Sequence, residues 1–192
     1  MIPAMLASTL FAEHQRYSIE PNPSSRLELR VFKTGLYRGK VHTFVFPAYR
    51  AVLLYDADRP EASHIELSIS ADAIQCMDTW LKPKDLKSVQ EYAVKDMLAA
   101  ERFPEILFTS SEIRGAGAGR FEVRGMLTLR GIAKPSIINV TLQQDSGTPV
   151  FRGTSVVRLT DYGLKPPKAA LGTIGTKDEM EFSFTLHAAP LS

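Results

Sequence analysis

The chain has 192 residues, 44% of them hydrophobic and 23% charged, with a formal net charge of +2. That length suits one domain with a sizeable core, or a hollow barrel of the same size. The near-balanced charges, with no block of Lys or Arg, argue against a nucleic-acid partner, and the single cysteine, Cys76, excludes an internal disulfide and any CxxC zinc or redox motif.

No apolar run approaches the roughly 18 residues of a membrane-spanning helix, so stable membrane insertion is not expected. The segment Met1 to Ala12 is mildly apolar through Ile2, Met5, Leu6, Leu10 and Phe11. It carries no Lys or Arg before that run and makes a poor secretory signal. Residues 1–16 read as a tail or a short helix laid against the domain, and residues 17–190 as the domain itself.

From Tyr17 onward the dominant period is two. Leu27, Leu29 and Val31 alternate with Arg26, Glu28 and Arg30, the pattern of a strand with one apolar and one wet face. Val41 to Phe46 is rich in β-formers, and Pro47 marks a bend or an edge. Arg50 to Tyr55 is a further strand, and Ile65, Leu67 and Ile69 repeat the alternation. Residues 72–101 break it. Val89, Tyr92, Ala93 and Met97 trace one helical face, with a start either at the capping-box pair Ser88 and Glu91 or at Pro83. Phe103-Pro104 ends the excursion.

Ile106 and Phe108 resume the strand pattern, and Gly115 to Gly119 is a loop. Phe121, Val123, Leu127 and Leu129 line the next strand, with Gly125 among them. Gly131 to Pro135 reads as a turn. Ile138, Val140 and Leu142 form another strand, followed by Val150 to Leu159, a Gly/Pro-rich loop over 162–175, and a last strand with Met180, Phe182, Phe184 and Leu186 on one face. Roughly eight antiparallel strands with one helical insertion, and no linker or repeat, point to a barrel or sandwich.

A small barrel is either filled by its own side chains or holds one ligand, and periodicity does not tell these apart. The inward candidates for a ligand are Leu29, Val31, Phe44, Phe46, Leu67, Ile69, Phe108, Phe121, Leu127, Phe182 and Phe184. The histidines at 14, 42, 64 and 187 show no metal-ligand spacing with another His or Cys, so no metal site is expected. His42, on a β-rich strand near Arg38 and Thr43, is the candidate contact for a ligand head group. Asp161 and Asp178 would meet across a strand pair, but Asp161 opens a turn-like Asp-Tyr-Gly, and a catalytic carboxylate pair is not expected. Lys165, Lys168 and Lys177 read as solvated loop charges, and Cys76 as a small buried apolar residue.

Several segments in order resemble the YceI-like family. They are Tyr17-Ser-Ile-Glu-Pro-Asn-Pro-Ser-Ser25 with Leu27-Glu-Leu-Arg-Val31, then Arg102-Phe-Pro-Glu-Ile-Leu-Phe-Thr-Ser110. Val123-Arg-Gly-Met-Leu-Thr-Leu-Arg-Gly-Ile-Ala-Lys-Pro135, Asp161-Tyr-Gly-Leu-Lys-Pro166 and Lys177-Asp-Glu179 follow. The resemblance implies a mainly β fold: a single, extended, eight-stranded antiparallel lipocalin-like barrel with a helical insertion, often a homodimer. It implies a non-enzymatic protein that binds a long isoprenoid chain, a polyprenyl compound or quinone tail, and needs no other cofactor. It also implies a periplasmic address, which the N-terminal segment does not support. The family's His-Ser after the first strand is Ser24-Ser25 here, and a histidine stands at position 42 instead. The alternatives are an enzyme acting on an apolar substrate and a packed structural barrel.

Overall fold

A computed structural model describes residues 15–191 except 57 and 146. The N-terminal tail or short helix expected over residues 1–16 lies outside that range except for residues 15 and 16. Among the described residues no helix is long and apolar enough to cross a membrane.

The strands are β1 (Gln15–Ile19), β2 (Arg26–Gly35), β3 (Val41–Val45), β4 (Tyr49–Tyr55), β5 (His64–Ser70), β6 (Gln75–Cys76), β7 (Glu105–Gly115), β8 (Arg120–Leu129), β9 (Ile132–Asp145), β10 (Thr148–Arg158), β11 (Lys168–Ala169), β12 (Ile174–His187) and β13 (Ala189–Pro190). Among the described residues there are thirteen strands in place of the roughly eight expected. Three of them, β6, β11 and β13, have two residues each and are too short to show an alternation.

All belong to one antiparallel sheet, in the order β13-β1-β4-β5-β7-β8-β9-β10-β12-β2-β3-β6, with β11 on β12. Between β12 and β13 lies only Ala188, whose N–H donates to the Pro149 carbonyl at 3.0 Å. Yet β13 pairs with β1 at the far end of that order, Ser18 opposite Ala189. A sheet whose distant strands are joined by one residue has to curl on itself. The result is the extended lipocalin-like barrel, its inner face formed by alternate residues; in β7, for example, Ile106, Phe108 and Ser110 are buried and their neighbours exposed.

The turn expected over 131–135 is shorter. Arg130 and Gly131 both have positive φ, 53° and 73°, which suits a two-residue hairpin turn whose twist matches its strands, and Leu129 pairs with Ile132. Pro135 lies inside β9 opposite Met126. It is tolerated because β10 pairs with β9 only from Asn139 onward, leaving the N-terminal part of β9 as an edge.

The helix α1 spans Pro83–Tyr92 and runs into a π-helical turn over Ala93–Met97. Pro83 sets its start; Ser88 sits inside it, its hydroxyl donating back to the Lys84 carbonyl at 3.1 Å. Gln90 pins α1 to β6: its side-chain oxygen accepts the Cys76 N–H at 2.7 Å and its amide donates to the Ile74 carbonyl. Arg130 holds the other end, donating to the Asp96 and Met97 carbonyls at 3.1 and 3.3 Å. The helix is thereby fixed as a roof over one end of the barrel.

Candidate functional site

Among the described residues, two apolar spaces lie inside the barrel. The larger, about 450 Å³, sits under the roof between β2, β3, β12 and the segment 164–169. Its size falls within the roughly 300–1,000 Å³ of small-molecule sites. Val89, Tyr92, Ala93 and Met97, the helical face read from the sequence, all line it. The smaller, about 90 Å³, is walled by side chains from β1, β2, β4, β5, β7, β8, β9, β10 and β12, which places it on the barrel axis.

Of the expected ligand-facing residues, Leu29, Val31 and Phe44 line the larger space, and Leu67, Phe108, Phe121 and Phe184 the smaller. Phe46, Ile69, Leu127 and Phe182 border neither. The strand register explains this. Along the inner face of β12, Met180 borders the larger space, Phe182 neither, and Phe184 the smaller. Along β8 the same order holds for Leu129, Leu127 and Val123. The Phe46 and Phe182 rings stack at 5.9 Å with 18° between their planes. These side chains form a partition across the lumen.

One corner of the larger space is polar. Lys33 continues the inward alternation of Leu27, Leu29 and Val31, and both it and Thr176 line the cavity. They are directly opposed across β2 and β12. The next inward pair on the other side of β2 is Val31 with His42. A β-bulge shifts the β2–β12 register between Thr176 and Met180, and bulges of this kind re-aim side chains beside functional sites. The Thr176 hydroxyl is buried without a hydrogen-bond partner among the described residues.

His42 is held on two sides. Its Nδ1 pairs with Asp78 Oδ2, while Asp78 Oδ1 accepts the Thr43 N–H at 2.8 Å. Trp80 stacks on the imidazole at 5.2 Å, anchored by its Nε1–H donating to the Val41 carbonyl at 3.0 Å. The two-residue pairing of β6 with β3 brings Asp78 to His42 across the chain.

Cys76 joins this cluster; the donor atoms of His42, Cys76 and Asp78 lie within 4.8 Å of one another. Two chemistries suggest themselves. A cation would sit in the field of the Lys33 ammonium, which acts on both His42 and Asp78, and both Asp78 oxygens already accept hydrogen bonds. A nucleophilic thiol would need a lowered pKa, whereas burial, with the Asp78 carboxylate beside it, pushes Cys76 up to about 11. We therefore assign the cluster to orienting His42. Cys76 itself is half-buried.

Burial holds His42 below its ordinary value of 6.5, against the pull of Asp78. As pH falls the unfolded chain takes up this proton first. The stability held by the neutral imidazole is thus complete above pH 6.5 and is lost as pH falls toward and through the folded value. The urea midpoint is expected to drop on acidification, and less steeply in His42→Gln; parallel slopes for the two proteins would remove His42 from this role.

Asp178 does not pair with Asp161. It accepts the Thr160 N–H and hydroxyl at 2.9 and 2.6 Å, which holds its carboxyl below the usual range. Lys168 lines the mouth of the larger space, and Lys177 lies over the Phe32 ring at 5.4 Å. Sequence reasoning missed Lys33, Thr176 and Asp78. Lys33 carried a signal, a charge on an otherwise apolar face.

The YceI-like domain matches residues 17–188. The chain is 28% identical over 145 residues to a UPF0312 protein of Pseudomonas savastanoi, covering 72% of this chain and 70% of that protein. It is 26% identical over 117 residues to a UPF0312 protein of Shewanella baltica, covering 58% of each. Among solved structures, BcnA of Burkholderia cenocepacia superposes with a TM-score of 0.70 at 20% identity, over 86% of this chain and 96% of that one. The Campylobacter jejuni YCEI protein superposes with a TM-score of 0.58 at 13% identity, over 78% and 84%. The curled sheet, its helical roof and the match along nearly the whole domain lead to one assignment: the chain belongs to the YceI-like domain family.

Proposed function

We propose that this protein binds an isoprenoid chain, a polyprenyl compound or quinone tail, in the larger cavity and carries or sequesters it without transforming it. The observation that carries this reading is a roofed space of about 450 Å³ lined by Leu, Val, Ile, Met and Phe side chains. Each buried CH₂ contributes about 0.8 kcal/mol, so several isoprene units supply ample gross attraction, reduced by the cost of ordering the chain. No charged clamp is needed to hold such a tail. A family resemblance that implies polyisoprenoid binding supports the same reading.

The second reading, an enzyme acting on an apolar substrate, draws on the His42–Asp78 pair. It is the less favoured reading, because burial keeps the Cys76 thiol beside that pair protonated at neutral pH.

Organic extraction of the purified protein followed by mass spectrometry is expected to release an apolar chain. Adding a quinone or prenol at a hundredfold excess over Kd is expected to stabilise the fold by about 2.7 kcal/mol, a rise of several degrees in Tm. An extract without lipid, together with an unmoved Tm, would overturn the carrier reading.

A further inference from the structure

Resting on that reading, we infer that the larger cavity selects a chain ending in a carboxylate, received by Lys33, Thr176 and His42. Three observations converge. The Lys33 ammonium lines an apolar space and makes no ion pair or hydrogen bond among the described residues. Its counter-charge is Asp78, whose two oxygens are occupied by His42 and Thr43. The Thr176 hydroxyl, directly across the β2–β12 pair from Lys33, is buried with no hydrogen-bond partner among the described residues. A buried hydroxyl of this kind is costly unless something bonds it. His42 stands one inward pair away with Nδ1 committed to Asp78, so Nε2 is the atom left for a ligand.

The chemistry of these three groups names the head. An ammonium and a hydroxyl donate to an oxygen, and charge-assisted bonds of that type are the strong ones. A neutral imidazole with Nδ1 donating to Asp78 has a lone pair at Nε2, which becomes a third donor once it takes up a proton from solvent. A carboxylate satisfies all three: its two oxygens accept from Lys33 and Thr176, and one proton taken up from solvent on binding lets His42 Nε2 donate to it as well. An alcohol offers a single oxygen and brings no negative charge to the ammonium, whose counter-charge Asp78 is already shared with His42 and Thr43. The apolar wall of Leu29, Val31, Phe44 and Met97 then takes the tail.

Trp80, the only tryptophan, stacks on His42 and reports occupancy by fluorescence. Titration with farnesoic acid and with farnesol at neutral pH compares the two heads on one tail. The acid is expected to bind at least about tenfold more tightly. Lys33→Met is expected to erase that preference while keeping the farnesol affinity, which also shows that the variant is folded. Thr176→Val is expected to weaken the acid alone. Should Lys33→Met lose farnesol as well, Lys33→Arg decides, because it keeps the charge and must keep the preference. Equal binding of acid and alcohol by the native protein overturns the carboxylate assignment and leaves the carrier reading standing. Binding of neither overturns both. An acid preference that survives Lys33→Met removes Lys33 from the head-group site.

Discussion

Phe182→Ala is expected to join the two interior spaces and to lengthen the chains the protein accepts. The Phe182 ring stands between Met180, which borders the larger space, and Phe184, which borders the smaller. Its stacking on Phe46 closes the lumen at that level. Alanine removes the ring and leaves the neighbouring side chains too far apart to seal the gap. The cost to stability lies toward the lower end of the roughly 3–5 kcal/mol of a buried Phe→Ala change, because Phe182 is only partly buried. Urea unfolding measures that loss. Binding of a prenol series of increasing length measures the opening: the native protein favours chains confined to the larger space, and the variant extends to longer ones. An unchanged length profile would show that Phe182 is not the barrier.

Gly125→Ala is expected to destabilise the barrel by about 1–3 kcal/mol, the range of an overpacked interior. A Cβ at Gly125 would lie 2.3 Å from the Thr109 carbonyl oxygen and 2.6 Å from the Phe108 ring. The backbone oxygen is tied into the β7–β8 ladder and cannot retreat. Gly153 repeats the arrangement under the Phe184 ring, 2.3 Å from the same hypothetical atom. Both rings wall the smaller space. Each glycine lets an aromatic ring lie against a strand, a device that shields glycine backbone within a sheet. Gly115→Ala is the control, since nothing lies within 4 Å of its added carbon. Equal urea midpoints for the variants at 125 and 115 would contradict the packing account.

The alternation along β2, β5, β7 and β8 was legible in the sequence because a strand's side chains repeat every two residues whatever surrounds them. The helical face of Val89, Tyr92, Ala93 and Met97 was legible for the corresponding reason at period 3.6. The short strands were not. β6 and β13 each have two residues and form where a neighbouring edge is available, which a local pattern does not reveal. Asp78 was invisible as a partner of His42, since 36 residues separate them and one brief strand pairing brings them together.

The ordered residue types alone determined that this chain forms an antiparallel sheet with a greasy inner face and a single helical excursion, because burial of alternate apolar side chains is a local, periodic requirement. Only the tertiary structure decided which inner residues wall a space and which block it. Leu29 and Phe182 are cross-strand partners on the same face, yet one borders the cavity and the other the partition. Their difference arises from the bulge, the curl of the sheet and the seating of the roof, all of which depend on contacts between distant parts of the chain.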